Sequence, residues 1–211
     1  MAKTAVPPSF LPVNQSREGE DWRCSPPYQS STQDEFDSVK WTGRCHCGQV
    51  EYQLKREKPL TAKFCHCQIC QVLHGAPFQL AAIFPKSDVR FTRGHEKLTF
   101  YSSGEKRKEH KLPCKVYCSY CNTPIMDEGR NMCLLFPELI DVGPDLEDQR
   151  KRRETFEIKC HIFYGSRIVD IKDGKPKWSG LDEKSELLDD NGQVLLHYTE
   201  TKTIEDNPLQ M

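Results

Sequence analysis

Short stretches of alternating apolar and polar residues run through the middle of the chain and predict β-strands. In residues 49–54, Val50, Tyr52 and Leu54 alternate with polar residues, which is the pattern of a strand with one buried face. Residues 78–84 are mostly apolar and predict a well-buried strand. Further strands are predicted at residues 89–91, 97–101, 132–136 and 155–164, the first two as a hairpin around an Arg-Gly turn. These patterns together predict a mainly β fold.

The ends of the chain differ from this β-rich region. Residues 1–38 contain five prolines and no apolar period, so we expect an extended N-terminal arm. The folded domain is expected over residues 39–181, with a polar helix at 144–153. Residues 182–211 are predicted to form an acidic C-terminal extension. Four apolar side chains could anchor the arm to the domain: Phe10, Leu11, Trp22 and Tyr28.

Composition points to a small core that metal ions help to stabilise. Hydrophobic residues make up 36% of the 211 residues and charged residues 29%, so the core is modest and bound metal should contribute to folding. No apolar run is long enough to span a membrane, and the first residues lack the apolar block of a secretory signal. We therefore expect a cytoplasmic protein whose eleven cysteines serve as metal ligands rather than disulfides.

Charge is distributed unevenly along the chain. Residues 1–38 carry three basic and six acidic side chains and residues 182–211 carry two and eight, which leaves +8 on residues 39–181. A positive body suits an anionic ligand, small or polymeric, although a solvated basic face is the alternative interpretation. The basic runs at 106–111 and 150–153 are interrupted by acids and lack interleaved aromatics, so nucleic acid is not predicted as a partner.

Seven cysteines lie in three short clusters. A closed tetrahedral zinc site takes four of them, which leaves three for a second site. Two close-spaced pairs predict one closed, structural zinc site, with the ligands Cys45, Cys47, Cys118 and Cys121. The central run predicts a second zinc with one coordination position left for a substrate, with the ligands Cys65, Cys67 and Cys70. The alternative is a closed second site whose fourth ligand would be one of His66, His74 and Cys114.

An open zinc site with three thiolates has particular chemistry. The thiolates outweigh the charge of the metal, so bound water should be acidified less than on a zinc held by three histidines. The soft centre suits a sulfur ligand and favours chemistry at a carbon–sulfur bond. His66 and His74 are the nearest candidates for a catalytic base.

At this point a family resemblance appears across residues 41–180. Its elements are Gly43-x-Cys45-His46-Cys47-Gly48, Cys65-His66-Cys67-x-x-Cys70, His74-Gly75-Ala76-Pro77-Phe78, Cys118-x-x-Cys121 and, later, Asp173-Gly174-x-Pro176. They resemble the glutathione-dependent formaldehyde-activating enzyme family, which includes the centromere protein V domain. The resemblance implies a β-tent of small antiparallel sheets pinned by two zinc sites, one structural and one catalytic. Asn122 stands where the family has glycine, and asparagine tolerates the left-handed backbone expected there.

The implied activity is that of a zinc-dependent carbon–sulfur lyase similar to S-(hydroxymethyl)glutathione synthase. Its partner would be glutathione or another small thiol adduct, and the sequence leaves a homodimer open. Arg44, Arg93 and Lys97 are candidates for holding glutathione carboxylates. Two alternatives stay open: the same zinc site acting on a different electrophilic metabolite, and a zinc-stabilised binding module without catalysis.

Overall fold

The computed structural model describes residues 21–29, 36 and 38–197. Within these residues the chain is mainly β, with fourteen strands and two α-helices, which confirms the predicted fold class. The helices are α1 (Gln68–His74) and α2 (Leu146–Thr155). The strands are β1 (Trp41–Arg44), β2 (Glu51–Leu54), β3 (Thr61–Cys65), β4 (Gln79–Pro85), β5 (Val89–Arg93), β6 (Leu98–Tyr101), β7 (Cys114–Cys118), β8 (Pro124–Glu128), β9 (Met132–Leu135), β10 (Ile140–Asp141), β11 (Cys160–Ile162), β12 (Lys177–Trp178), β13 (Leu187–Leu188) and β14 (Val194–Leu196).

The strands form two sheets. The smaller sheet has four strands in the order β10-β1-β2-β5, and the larger has ten in the order β14-β13-β12-β11-β3-β4-β9-β8-β7-β6. Neighbours are antiparallel except that β11 runs parallel to both β3 and β12. The chain therefore adds parallel pairing to the antiparallel sheets that the family resemblance implies.

A shared apolar core lies between strands of both sheets. Val50, Tyr52 and Leu54 are fully buried in it, as the alternation predicts, and Val116 and Ile125 meet them from the larger sheet. Gly43 on β1 is required by this packing, because a Cβ atom there would lie 2.2 Å from the Tyr52 ring. The core fixes how β1 and β7 approach one another; Cys45 directly follows β1, and Cys118 is the last residue of β7.

The predicted hairpin of residues 89–91 and 97–101 is wrong. β5 pairs with β2 in the smaller sheet, whereas β6 pairs with β7 in the larger one. The chain changes sheets at Gly94, where φ is +76° and a Cβ atom would lie 2.0 Å from the carbonyl oxygen of Gln49. The Arg-Gly turn is real, but strand partners are chosen by packing between distant segments.

The predicted strand at 155–164 is also wrong in its length. Helix α2 continues to Thr155, and only Cys160–Ile162 pairs as a strand. Phe163 ends that strand with a left-handed φ of 55°. The predicted helix at 144–153 is present, shifted by two residues, and begins where the backbone N–H of Asp148 donates to Asp145 Oδ1 at 2.8 Å.

Residues 21–29 of the N-terminal arm pack on the domain. The Trp22 ring stacks on His110 with 3.9 Å between centroids. Tyr28 is 4% exposed and donates a hydrogen bond of 2.6 Å from its hydroxyl to Glu128 Oε2. Two of the predicted anchors are thus in contact with the domain, whereas Phe10 and Leu11 lie outside the described residues.

Replacing Tyr28 by phenylalanine should destabilise the domain by about 1.5–3 kcal/mol, because a buried charged acceptor loses a donor. The measurement is the midpoint of urea unfolding. Tyr120→Phe is the control, since Tyr120 is 65% exposed and its change should stay within about 0.5 kcal/mol. Equal midpoints for the two variants would contradict a stabilising role for the arm.

Residues 182–197 belong structurally to the larger sheet. β13 pairs with β12, and β14 pairs with β13 at the edge of that sheet. Asp182 forms an ion pair of 2.5 Å with Lys63 on β3. The boundary predicted at residue 181 stays a prediction. No helix among the described residues is long and apolar enough to cross a membrane.

Candidate functional site

The first site brings together Cys45, Cys47, Cys118 and Cys121, which we call the four-cysteine group; their sulfur atoms all lie within 4.8 Å of one another. Cys45 follows β1 of the smaller sheet and Cys118 ends β7 of the larger one. Sulfur–sulfur distances are 3.5 Å for Cys45–Cys47 and 3.8 Å for Cys47–Cys118. The group therefore joins the two sheets at one point.

Both pairs sit on tight turns that bring their sulfurs toward one another. Gly48 and Asn122 adopt left-handed φ values of 71° and 57°, as expected for these positions. The backbone N–H of Val50 points at Cys45 Sγ, 3.3 Å away. Burial opposes ionisation of Cys121, but hydrogen bonds from the side chain and backbone of Thr123 outweigh it and lower the pKa of this thiol to about 5. Such donors favour the thiolates that a metal requires.

The second site brings together Cys65, Cys67 and Cys70, which we call the cysteine triplet; their sulfurs also lie within 4.8 Å of one another. Cys65 ends β3, and Cys67 is the N-cap of α1, where its sulfur accepts from the backbone N–H of Cys70 at 3.4 Å. A strand that runs directly into a helix turns sharply enough for all three sulfurs to converge. Among the described residues, no fourth His, Cys, Asp or Glu joins this group.

The acid–base chemistry of the triplet fits a metal ion. Hydrogen bonds from Cys65 and Cys70 lower the pKa of Cys67 to about 2, so one sulfur ionises readily. The hydrogen bond between Cys65 and Cys67 raises the pKa of Cys65 to about 11. Hydrogen bonds with Cys65 and Cys67 raise the pKa of Cys70. Three sulfurs in contact resist a second and third negative charge unless a cation lies among them. The donor set is therefore suited to a soft divalent ion.

His66 lies between two members of the triplet but points into the protein. It has no exposed surface, and its Nε2 shares a hydrogen bond of 2.9 Å with His161 Nδ1. His161 Nε2 in turn lies 2.9 Å from Asp173 Oδ2. Burial first, and then the nearby His161, lower the pKa of His66 to about 4. This chain of contacts holds the triplet loop against β11, and the catalytic role predicted for His66 stays a prediction.

A sequence profile described as glutathione-dependent formaldehyde-activating enzyme matches residues 40–166, which include all seven cysteines of the two groups. The chain belongs to the glutathione-dependent formaldehyde-activating enzyme family. This confirms the resemblance drawn from the cysteine spacing. As a member of that family, the chain carries two cysteine groups that can hold metal ions.

Solved structures include a protein similar to this member of the formaldehyde-activating family. It is a Rhodobacter sphaeroides protein from a structural genomics programme, 25% identical in sequence, with a TM-score of 0.39. The alignment covers 51% of this chain and 94% of that chain.

His74, the other predicted catalytic residue, ends α1 near the triplet. Its Nε2 lies 3.4 Å from Lys115 Nζ, and its ring packs edge-on against Phe136. Burial, followed by the charge of Lys115, lowers the pKa of His74. An ammonium group only donates, so the Nε2 of His74 that faces it is an acceptor and the hydrogen lies on Nδ1. The role of His74 in catalysis stays a prediction.

A third cluster contains His110, Cys114 and Glu128, but it does not fit a metal ion. The Glu128 carboxylate already receives Lys86 at 2.5 Å, Tyr28 at 2.6 Å and His110 at 2.9 Å. The Lys86 ammonium already neutralises this buried carboxylate, so a metal ion there would have to compete with it. Cys114 faces this carboxylate at 3.9 Å rather than joining the triplet, so it is not the fourth ligand considered above.

The three basic residues considered for glutathione carboxylates lie away from the triplet. Arg93 donates to the carbonyl oxygen of Gly48 at 2.5 Å and to the Glu51 carboxylate at 2.5 Å. Lys97 donates to Gln49 Oε1 at 2.8 Å. Arg44 forms an ion pair of 3.4 Å with Asp141. These contacts place Arg93 and Lys97 beside the four-cysteine turn. Another part of the chain would have to recognise an anionic ligand at the triplet.

Sequence reasoning missed several polar residues around the triplet. His161 and Lys115 are the most telling, because each is buried and contacts a residue of the central cysteine run or the helix that follows it. In the sequence, His161 stands between Cys160 and Ile162 at a polar position of the alternating segment 155–164, so the pattern predicts an exposed side chain there. Lys115 precedes Cys118 of the four-cysteine group by three residues, and no pattern around it indicates that its side chain reaches the cysteine triplet instead.

Replacing Asp173 by asparagine should remove a contribution to stability that depends on pH. Burial alone would raise the pKa of Asp173. Hydrogen bonds from His161, the Lys175 backbone and Lys177 outweigh burial and lower this pKa to about 2. The folded pKa is lower than the unfolded value of about 4, so this contribution is complete above pH ~4–5 and disappears as pH falls toward ~2.

Urea midpoints of the parent and Asp173→Asn should therefore differ at pH 7 and converge in acid. Asp170→Asn is the matched control. Within the described residues, this exposed carboxylate forms one ion pair, with Arg167 three residues earlier in the chain. A difference that stayed constant down to pH 3 would show that ionisation of Asp173 is not involved.

Proposed function

We propose that this protein is a zinc-dependent carbon–sulfur lyase acting on a glutathione–aldehyde adduct, with S-(hydroxymethyl)glutathione as the simplest substrate. The supporting observation is the contrast between the two cysteine groups: one offers four sulfurs and the other three. Four ligands close a tetrahedral zinc site, whereas three leave a position for a substrate. Family membership supports the glutathione and formaldehyde chemistry.

The proposed reaction cleaves the adduct reversibly into glutathione and formaldehyde. In cleavage, the carbon–sulfur bond breaks, its electron pair stays on the glutathione sulfur, and the hydroxyl loses its proton as the carbon–oxygen double bond forms. When bound by the triplet, zinc would supply a Lewis acid that stabilises the charge developing on sulfur or oxygen. The chain would hold the three sulfurs through the end of β3 and the first turn of α1, so that little reorganisation accompanies the reaction.

Residues next to the triplet would set its electrostatics. Lys115 places an ammonium 3.9 Å from Cys70 Sγ, and the neutral His74 lies beside that ammonium. A bound glutathione thiolate would therefore meet a region whose positive charge partly offsets the sulfurs. His66 would act as a support, since its ring is directed toward His161.

The test is the exchange rate between formaldehyde and S-(hydroxymethyl)glutathione, measured by NMR with ¹³C-labelled formaldehyde. Zinc-loaded protein should accelerate the exchange above the spontaneous rate, and Cys67→Ser protein should not. Zinc-loaded protein that leaves the rate unchanged would refute the proposed activity and favour a different electrophile or a binding role.

A further inference from the structure

Lys115 is a buried lysine in direct contact with the cysteine triplet. Its side chain is 9% exposed, and its Nζ lies 3.9 Å from Cys70 Sγ. The other contacts of the ammonium are Asp127 Oδ2 at 2.5 Å, Gln79 Oε1 at 3.0 Å and His74 Nε2 at 3.4 Å. A buried ammonium is costly unless it is paired, so this arrangement must be maintained by its surroundings.

Rigid strands carry these partners. Lys115 on β7 lies directly opposite Asp127 on β8, and Gln79 on β4 lies directly opposite Cys65 at the end of β3. Gln79 Nε2 also donates to Asp127 Oδ2 at 2.7 Å, which closes the network. Strand pairing therefore fixes the ammonium next to the triplet, and the ammonium rather than the carboxylate meets the sulfur.

Charge arithmetic indicates what such a group does. Three thiolates exceed the charge of a divalent ion by one, and an incoming thiolate would make the centre more negative still. A fixed positive charge about 4 Å from one sulfur reduces that repulsion, and it does so strongly in a buried environment. The Asp127 carboxylate moderates this effect because it neutralises part of the same ammonium.

We propose that Lys115 is a positioning residue that offsets the negative charge of the cysteine triplet through Cys70, and that it thereby strengthens both metal binding and the binding of a thiolate ligand there. The part concerning thiolates rests on the proposed function, whereas the part concerning metal affinity does not. Asp127 sets the size of the effect. Lys115, Asp127 and Gln79 are thus part of the metal centre although none of them is a ligand.

The experiment uses the full chain loaded with Co²⁺ in place of zinc, because cobalt bound by thiolates absorbs visible light. Two quantities are measured: affinity of the triplet for cobalt by chelator competition, and affinity for glutathione from the change in the sulfur-to-cobalt absorption. The variants are Lys115→Met, Lys115→Arg and Asp127→Asn. Lys86→Met is the control, since Lys86 forms a comparable buried pair with Glu128 in the third cluster.

Lys115→Met should weaken both affinities by about tenfold or more, while Lys115→Arg keeps them within about threefold of the parent. Asp127→Asn should strengthen both, because the ammonium then acts without its counter-charge. Lys86→Met should match the parent. Opposite effects at positions 115 and 127 are the signature of charge, since a loss of packing would weaken binding in both variants.

Cobalt and glutathione affinities unchanged in Lys115→Met would overturn the proposal, and so would equal weakening in Lys115→Met and Asp127→Asn. If Lys115→Met does not fold, Asp127→Asn decides by the sign of its effect. A parent protein that binds cobalt but shows no response to glutathione would count against the proposed function alone, because cobalt affinity still tests Lys115.

Discussion

Replacing Cys67 by serine is expected to lower the metal content from about two ions per chain to about one and to abolish exchange between formaldehyde and its glutathione adduct. The remaining sulfurs of the triplet, Cys65 and Cys70, are too few to hold the ion firmly. The fold should persist, because Cys67 caps α1 through its side chain and serine is a strong N-cap residue. Metal analysis and circular dichroism of the same preparation measure both consequences.

Cys24→Ser is the control for this experiment, since Cys24 is exposed and belongs to neither cysteine group. It should keep the metal content and the exchange rate of the parent. Loss of both metals together with unfolding in Cys67→Ser would assign a structural role to the triplet. Full activity in that variant would remove the triplet from the reaction altogether.

Replacing Cys118 by alanine is expected to have the largest effect on stability, with a loss of more than about 4 kcal/mol and a correspondingly lower melting temperature. Cys118 is fully buried, and its group joins β1 of the smaller sheet to β7 of the larger. Structural zinc sites contribute about 10–16 kcal/mol in small domains, which is comparable with the whole stability of an ordinary domain. Thermal unfolding followed by circular dichroism measures the loss.

Cys133→Ala separates loss of metal from loss of packing. Cys133 is as buried as Cys118, but it lies in the core outside both cysteine groups. Its replacement should cost about 1 kcal/mol, the ordinary effect of a small cavity. If Cys118→Ala were no less stable than Cys133→Ala, the four-cysteine group would not be a structural metal site.

Local patterns in the sequence were sufficient for the β class, for five of the fourteen described strands (β2, β4, β5, β6 and β9) and for both cysteine groups. Alternation in residues 49–54 predicts β2, and the pairs of cysteines at metal-ligand spacing converge as their spacing indicates. The alternation is reliable because it concerns residues that are close together in the chain. The cysteine pairs are reliable because close-spaced thiols at metal-ligand spacing have few other uses.

Pairing between distant segments was decided only by the tertiary structure. The pattern that predicts β5 and β6 does not say that they join different sheets. Residues 155–160 alternate in burial, yet among them only Cys160 pairs as part of a strand. Local pattern reports which face is buried, not what lies opposite it.

The sequence by itself determined the family, the β-rich class and the membership of the two cysteine groups, because the spacing of the cysteines in the chain indicates them. The tertiary structure alone decided the surroundings of those cysteines. Lys115 meets Cys70 because β7, β8 and β4 bring Asp127 and Gln79 to the same place, and His66 is directed inward because β11 supplies His161. Charge and hydrogen bonding depend on distance in space, which strands far apart in the chain set.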